Sequence, residues 1–468
     1  MNNDSSLQIT AKLKAIISSS APGTRLPSTR SLVNEFHASP VTVQKALQTL
    51  TMQGLIESRP GIGTFTRTQA VSRPADYSWQ STALGSARTR RTSAASPLTG
   101  PNGDSLALHH GYPEPELLPS RLVRAAINRA SRSETALTCP PAGGLADLQT
   151  WFARELAEQT IGAVTPPNAK DVIIMPGSQA GLSSIFTSLV GAGQPLIVES
   201  PTYWGALLAA ENAGVELVPV SSGPHGPDPH ELSKAFERSG ARMFYAQPNY
   251  ANPTGAQWGV ELKGQVMDVV RQHSAFLVED DWAHDFGIES SSAPIAATDD
   301  SGHVIYIRSL TKSVSPSLRV AAVIARGPAR DRILANTAAE AMYVSGLLQA
   351  AALDVVSQPG WKTHLRTLRS QLQSRRDLLI SGLYDAVPEA QLELIPKGGL
   401  NLWLRLPEHI DLKRLTLDCA QSGLSIAGDV NWFPAEPTGK YLRLNYAGPR
   451  PSEYHDAARI LGEALHSQ

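Results

Sequence analysis

The chain has few cysteines: only Cys139 and Cys419 occur among its 468 residues. Two thiols cannot build the disulfide framework that stabilises small secreted domains. The N-terminus also lacks the basic start and the apolar stretch of a secretion signal. We therefore expect a protein of the reducing cytoplasm.

Long apolar runs are missing as well. Stretches such as 195–198 and 304–307 are far shorter than the roughly 18 residues of a membrane-spanning helix, so we expect no membrane partner. Apolar residues nevertheless make up 42% of the chain and charged residues 18%, which excludes a wholly disordered protein. At about 150 residues per domain, the length favours roughly three structural units.

The net charge is close to zero, at −1, which taken alone argues against a nucleic-acid partner. The charge is unevenly distributed, however. Residues 1–67 carry +4, residues 68–104 carry +2, and the remaining 364 residues carry −7. A basic N-terminal region thus precedes an acidic remainder, and nucleic-acid binding by the first region stays open.

Three regions differ in their sequence pattern. Residues 1–67 contain short helical patterns followed by two β-like runs, and residues 68–104 are rich in Ser, Thr, Ala, Arg and Pro, which is typical of a flexible linker. From 105 to 468, apolar runs of strand length alternate with helical stretches. The predicted strands are Val172–Met175, Leu196–Glu199, Glu216–Val220, Met243–Gln247, Ala275–Glu279, Val304–Arg308 and Val320–Ala325.

This alternation predicts an α/β fold with a large, mostly parallel sheet that has helices on both faces. Active-site groups then lie at the carboxyl ends of the strands. A long charged helix and later strand-like runs predict a smaller α+β subdomain over about 361–468.

The first region has the pattern of a winged helix-turn-helix. Ser28 suits the cap of a short helix, and Pro40 suits the first turn of a second helix after a three-residue break. The runs 55–59 and 63–66 flank a Pro-Gly-Ile turn and predict a hairpin, the wing. A small helical module that binds protein instead is the alternative.

Polar motifs follow successive predicted strands in the large region. A pyridoxal phosphate cofactor needs an amine for its aldehyde, a carboxylate for its ring nitrogen, donors for its phosphate and a partner for its phenolic oxygen. Each could be supplied at a strand end: the amine by Lys312, the carboxylate by Asp280, phosphate donors by Ser178 and the next residue, and the partner by Asn252. Each motif alone could be a turn or a solvated side chain.

The N-terminal segment, from Arg25 to Phe65, resembles the DNA-reading domain of the GntR superfamily of bacterial regulators. The resemblance implies that seven residues face operator DNA: Arg30, Ser39, Thr42, Gln44, Lys45, Arg59 and Gly61. Cations and short polar groups reach phosphate oxygens, and a glutamine can read a base edge. The family often has Arg directly after the serine of the turn, where this chain has Pro40.

Residues 105–450 resemble the fold-type I aminotransferases. The resemblance implies that Lys312 is the catalytic residue that forms a Schiff base with pyridoxal 5'-phosphate, that Asp280 pairs with the ring nitrogen and that Asn252 binds the ring oxygen. Tyr203 would stack on the ring, and Arg443 would bind a substrate carboxylate. The residues implied to hold the phosphate are Ser178, Gln179, Ser309 and Arg319.

A GntR-like head, a linker and an aminotransferase-like body together resemble the MocR subfamily of transcription regulators. The resemblance implies a homodimer that binds double-stranded operator DNA and senses an amine, an amino acid or pyridoxal phosphate itself through aldimine exchange at Lys312. A working aminotransferase with a fused DNA-binding head is the alternative, and a head that binds protein, with a merely structural body, is a third. The motifs call for no metal ion.

Two positions depart from the subfamily's pattern. Trp282 stands where a tyrosine usually meets the phenolic oxygen, and an indole can donate one hydrogen bond but cannot ionise or accept one. Cys139 replaces a tyrosine that reaches a neighbouring subunit's phosphate. We therefore expect that the cofactor still binds, that its aldimine with Lys312 titrates differently and that transamination turnover is weak.

Overall fold

The computed structural model describes residues 2–67, 80, 83, 105–160, 162–289, 293–428 and 431–468. The chain separates into two compact units, Met1–Ala87 and Arg88–Gln468, here called the head and the body. The predicted linker, 68–104, lies outside the described residues apart from 80 and 83.

The head is a winged helix-turn-helix, as the sequence predicts. Its helices are α1 (Asn2–Ser19), α2 (Thr29–Glu35) and α3 (Pro40–Met52), and its wing is the antiparallel pair β1 (Ile56–Arg59) and β2 (Gly63–Thr66). Buried aliphatic side chains from all three helices and from β1 form its core. The sequence pattern predicted only short helices in this region, whereas α1 has 18 residues.

Serine caps set the start of the two central helices. The Ser28 hydroxyl accepts from the backbone N–H of Ser31 before α2, and the Ser39 hydroxyl accepts from that of Thr42 before α3, both at 3.2 Å. Pro40 occupies the first turn of α3, where its missing N–H costs no helical hydrogen bond. The α2–α3 turn is therefore fixed locally by the sequence.

The body begins with a short strand, β3 (Leu106–Ala107), and two helices, α4 (Ser120–Ala130) and α5 (Ala146–Ala157). Among the described residues, eight further strands form one large sheet. They are β4 Val172–Met175, β5 Pro195–Ser200, β6 Glu216–Gly223, β7 Gly226–Pro227, β8 Met243–Ala246, β9 Phe276–Asp281, β10 Val304–Ser309 and β11 Ala321–Ile324.

The spatial order of this sheet is β4-β11-β10-β9-β8-β5-β6-β7. The five strands from β10 to β6 are parallel, which confirms the mostly parallel sheet. The predicted strand Val320–Ala325 is β11, and it runs antiparallel to both of its neighbours. Only 310–320 join β10 to β11, which is too short for the helical crossover that a parallel pair needs.

Helices cover both faces of the sheet. Along β4, Val172 and Ile174 pack into one hydrophobic cluster, whereas Ile173 and Met175 pack into another. A strand that is apolar on both sides is buried on both sides. The helices that follow α5 in this part are α6 Ser178–Ile185, α7 Trp204–Ala213, α8 Pro229–Ser239, α9 Val260–Gln272, α10 Gly327–Ala341 and α11 Gly346–Ser357.

The C-terminal part of the body has its own core and a small antiparallel sheet in the order β12-β13-β15. Its elements are α12 Pro359–Ala386, β12 Gln391–Leu392, β13 Asn401–Leu406, α13 Leu412–Gln421, β14 Leu424–Ser425, β15 Lys440–Asn445 and α14 Tyr454–His466. Leu106, Leu108 and Leu117 belong to this core, and β3 pairs with β14. The predicted start near 361 therefore leaves out the segment with which the body begins.

In the described part of the chain, no helix is both long and apolar enough to cross a membrane.

Candidate cofactor and effector site

One cavity of about 560 Å³ brings together all ten residues that the sequence assigned to the body's site. They are Ser178, Gln179, Tyr203, Asn252, Asp280, Trp282, Ser309, Lys312, Arg319 and Arg443. The cavity forms because the parallel strands β5, β8, β9 and β10 end at the same edge of the sheet. Six further lining residues were missed: Gly111, Tyr112, Trp204, Leu208, Gln247 and Thr311.

Asp280, near the end of β9, offers a buried acceptor. Its Oδ2 accepts from the Tyr245 hydroxyl at 2.9 Å and from Gln247 Nε2 at 2.8 Å. Its Oδ1 is buried, and no described residue donates to it. Burial raises the pKa of Asp280 to about 6, although the two hydrogen bonds and Lys312 oppose that rise. A protonated ring nitrogen fits this carboxylate, because it would supply the missing donor.

Lys312 follows β10 and lies at the cavity wall with its Nζ 4.0 Å from the ring centroid of Trp282. Loss of water around the amine, together with the charges of Arg443 and Arg319, lowers its pKa to about 7 against the opposing charge of Asp280. A substantial fraction of the amine is therefore neutral at physiological pH. A neutral lysine amine can attack an aldehyde, as a Schiff-base lysine must.

One end of the cavity suits a phosphate. Ser178 is the first residue of α6, and backbone N–H groups at a helix N-terminus attract anions. The preceding Gly177 has a φ of +93°, and a Cβ there would lie 2.6 Å from Arg319 Nη2, so glycine lets the guanidinium lie against the turn. Thr311 Oγ1 is buried without a hydrogen-bond partner among the described residues, and Ser309 lies two residues before it. This donor set fits a phosphate group.

The side chain of Gln179 is occupied by other protein groups. Its Nε2 donates to the Gly205 carbonyl at 2.7 Å, and its Oε1 accepts from the Tyr203 hydroxyl at 3.3 Å. Burial holds the pKa of Tyr203 above its ordinary value, so this ring stays uncharged. Gln179 thus positions the ring that the sequence assigned to stacking, and its backbone N–H at the start of α6 is what it can offer an anion.

Trp282 does not aim its N–H at the cavity. The indole Nε1 donates to the Tyr250 carbonyl at 3.2 Å, and the ring presents its face to Lys312. The usual tyrosine is therefore replaced by an aromatic wall whose single donor is already used. Asn252, on the neighbouring loop, keeps its side chain in the cavity, where its Oδ1 accepts from Arg443 Nη1 at 3.4 Å.

Arg443, in β15, is a buried cation that lines the same cavity. Its Nη2 donates to the His109 carbonyl, its guanidinium lies 4.8 Å over the Trp432 ring, and no carboxylate of the described residues pairs with it. Burial lowers its pKa to about 10, and the side chain remains charged at neutral pH. A ligand carboxylate would satisfy this guanidinium.

The seven residues assigned to DNA lie at the surface of the head. A groove between α3 and the wing is lined by Gln44 together with Thr29, Leu47, Gln48, Thr51, Met52, Ser58 and Thr64. The hydroxyl of Ser39 is shared with the helix cap and with Thr42 Oγ1 at 2.8 Å. Arg59 is paired with Glu57 at 2.5 Å and stacks over Phe65. Ser39 and Arg59 therefore have roles within the head itself.

Cys139 is exposed, with its Sγ 3.5 Å from the Tyr343 hydroxyl, and it is not among the residues lining the cavity. Among the missed residues, Thr311 directly precedes Lys312, and Tyr112 lies in the Gly-Tyr-Pro stretch after β3. Gln247 directly follows β8, and its place at a strand end was the signal available.

Comparison with known proteins agrees with this division into head and body. Residues 111–461 match the family "Aminotransferase class I and II", and residues 5–66 match "Bacterial regulatory proteins, gntR family". The chain belongs to the aminotransferase class I and II family, and it carries a GntR-type DNA-binding head. Pyridoxal phosphate is the cofactor of such a body, as the sequence predicted.

The relatives include whole-length regulators. The HTH-type transcriptional regulator YdfD of Bacillus subtilis (strain 168) is 26% identical over 91% of this chain and 88% of its own. The probable rhizopine catabolism regulatory protein MocR of Rhizobium meliloti is 29% identical over 94% and 89%. LysN, the alpha-aminoadipate aminotransferase of Thermus thermophilus, solved with N-(5'-phosphopyridoxyl)-L-leucine, superposes with a TM-score of 0.74 at 25% identity, covering 81% of this chain and 96% of LysN.

These matches confirm the predicted class of protein. The chain is a pyridoxal phosphate-dependent, DNA-binding transcription regulator of the MocR subfamily.

Proposed function

We propose that the body of this regulator senses an amino acid and thereby alters DNA binding by the head. The observation that carries the proposal is Arg443, a buried guanidinium with no carboxylate partner among the described residues, in the cavity that also holds Lys312. A lysine alone would suit any amine. The added guanidinium selects an amine that also bears a carboxylate.

Different residues of the cavity would hold different parts of the cofactor. We assign covalent attachment of the cofactor to Lys312, pairing with its ring nitrogen to Asp280, and contact with its ring oxygen to Asn252. Tyr203 covers the ring. Donors to the phosphate are Ser178, the backbone of Gln179, Ser309, Thr311 and Arg319. When bound, the cofactor supplies an aldehyde carbon that the lysine and an incoming amine can exchange.

Sensing needs binding that differs between two states of the protein, whereas repeated turnover is dispensable. Trp282 supports sensing over turnover, because its only donor is held by the Tyr250 carbonyl and the indole has no hydroxyl to offer the ring oxygen. A working aminotransferase is the second candidate, favoured by the complete pair of Lys312 and Asp280. We also propose that the protein is a cytoplasmic homodimer whose two heads bind a repeated or palindromic operator.

DNA binding measured with and without amino acids tests this function. The cofactor-loaded protein should shift DNA from upstream of its own gene in a gel, and one or more L-amino acids should change the affinity. Lys312→Ala should keep the shift and lose the response. A response that survives in Lys312→Ala, or a response to amines without a carboxylate that matches the one to amino acids, would contradict the proposal. Steady transamination at an ordinary rate would favour the second candidate.

A further inference from the structure

Gln247, which directly follows β8, connects two groups of the site that come from different segments. Its Nε2 donates to Asp280 Oδ2 at 2.8 Å. Its Oε1 accepts from the backbone N–H of Asn252, also at 2.8 Å. The residue is only 2% exposed, so neither hydrogen bond competes with bulk water. One amide thus joins the carboxylate on β9 to the loop that carries the Asn252 side chain.

The backbone of Gln247 is anchored in turn. Its N–H donates to Glu199 Oε2 at 3.1 Å, and the other oxygen of Glu199 accepts from the Ser222 hydroxyl at 2.8 Å. Glu199 lies in β5 and Ser222 in β6, so the ends of adjacent strands are linked through buried polar groups. A side chain held at its backbone and at both ends of its amide has little freedom to move.

A glutamine amide suits this place because it donates with one atom and accepts with the other. The donor faces an acceptor-only carboxylate, and the acceptor faces a backbone N–H. Leucine, of similar size, would leave a buried charged oxygen and a buried N–H each short of a partner, which is costly. Glutamate would keep the acceptor for Asn252 and replace the donor with a second oxygen facing Asp280.

We propose that Gln247 is a positioning residue that fixes the Asp280 carboxylate and the Asn252 loop relative to each other, so that both meet the cofactor ring together. The inference rests on the role proposed above for Asp280. Gln247 itself acts through these two groups.

The titratable groups around the Asp280 carboxylate bear on the test. Tyr245 donates to it, and the charges of Lys312, Asp281 and Tyr203 act on it. Each of these groups is present in the wild type and in both Gln247 variants. Glu199, which accepts from the backbone N–H of residue 247, has its pKa raised by burial to about 7 and is also present in all three proteins. The ratio of a variant's affinity for the cofactor to that of the wild type at the same pH therefore reports the effect of residue 247, including its effect on the pKa of Asp280.

The test measures the dissociation constant of pyridoxal phosphate, by quenching of tryptophan fluorescence, for Gln247→Leu and Gln247→Glu across a mildly acidic to mildly alkaline series. We expect Gln247→Leu to weaken binding about tenfold at alkaline pH, since a hydrogen bond to a charged group is lost. The loss should grow as the pH falls, because that hydrogen bond also lowers the pKa of Asp280. We expect Gln247→Glu to be as weak at alkaline pH and to recover as the pH falls, because a protonated Glu can donate to Asp280. Equal, pH-independent ratios for the two variants would overturn the proposal.

Gln349 is the matched control. It is also buried, its Oε1 accepts from the Leu145 N–H at 2.8 Å, and its Nε2 donates to the Val344 carbonyl at 2.7 Å, but it does not line the cavity. Gln349→Leu should lower the thermal midpoint of the cofactor-free protein as Gln247→Leu does. It should leave the dissociation constant of the cofactor within about twofold of the wild-type value, because residue 349 does not contact the cavity. A similar loss of affinity in Gln349→Leu would show that general destabilisation explains the effect.

Asp280→Ala separates this inference from the proposed function. If Asp280→Ala binds the cofactor as tightly as the wild type, the role proposed for Asp280 fails. If Asp280→Ala weakens binding and both Gln247 variants do not, the role of Asp280 stands and the inference about Gln247 is wrong.

Discussion

The head and the body place their cations in opposite ways. Arg30 and Lys45 project from the surface of the head, whereas Arg443 in the body is 1% exposed and Lys312 lies in a cavity wall. Exposed cations attract phosphates over several ångströms and weaken with salt. Enclosed cations act at contact distance through geometry, and they are held at a cost in desolvation. The head and the body thus offer two different physical means of binding an anion in one chain.

The largest expected effect is on the stability of the folded protein, because enclosing the Lys312 amine away from water is unfavourable. In the cofactor-free protein, Lys312→Met should raise the free energy of unfolding by a few kcal/mol near pH 7, and the gain should shrink as the pH rises toward 10.5, the ordinary pKa. The sign follows because, between about 7 and 10.5, the unfolded chain takes up a proton at this lysine that the folded chain does not. Thermal midpoints of the wild type and of Lys312→Met, measured from neutral to alkaline pH, report this gain in stability. Lys170→Met, at an exposed lysine, should show no such trend, and a trend of equal size there would contradict the explanation.

Removing two exposed cations should have the next largest effect. Arg30→Ala combined with Lys45→Ala should weaken binding to the upstream DNA about a hundredfold and lower the slope of log affinity against log salt by about two. Fluorescence anisotropy at several salt concentrations gives both values. Lys413→Ala with Arg414→Ala, on the body, is the matched control. If the control lowers the slope equally, the salt dependence of DNA binding reflects the charge of the whole chain and not contacts made by the head.

A third change adds a hydroxyl to the body's cavity. Trp282→Tyr should increase the rate of a single half-transamination roughly tenfold, because a phenol can both donate and accept where the indole donor is held by Tyr250. Stopped-flow absorbance with an excess of amino acid measures the rate. Trp282→Phe, which lacks the hydroxyl, should stay near the wild type, and an equal gain in Phe would attribute the effect to ring size.

The smallest effect belongs to the head. Ser39→Ala should lower the stability of the head by about 1 kcal/mol through loss of the α3 cap. Ser28→Ala removes the equivalent cap of α2 and should cost a similar amount. Thermal unfolding followed by circular dichroism reports both. A loss of DNA affinity in Ser39→Ala that exceeds the loss in Ser28→Ala would show that Ser39 also contacts DNA.

Patterns local to the sequence predicted much of this molecule. The apolar run Val172–Met175 is β4 to the residue. The ten site residues, several of them assigned through the family resemblance, line one cavity, where most lie near the ends of parallel strands and Arg443 comes from β15. Features that depend on distant segments were not predictable in this way. The use of the Trp282 N–H by Tyr250 and the bridge made by Gln247 each require partners known only after folding.

The start of the body has a mechanical consequence. Leu106 pairs with Leu424, the Leu108 carbonyl accepts from the Asn445 N–H at 2.8 Å, and the His109 carbonyl accepts from Arg443. We infer that a displacement of the chain at 105 would act on the C-terminal core and on β15 through these contacts. Only four residues, 105–108, lie between 104 and His109, so the hydrogen-bond partner of Arg443 is close in sequence to the predicted linker. A shift of this segment, in either direction, would therefore act on Arg443, the residue that we assign to the ligand's carboxylate.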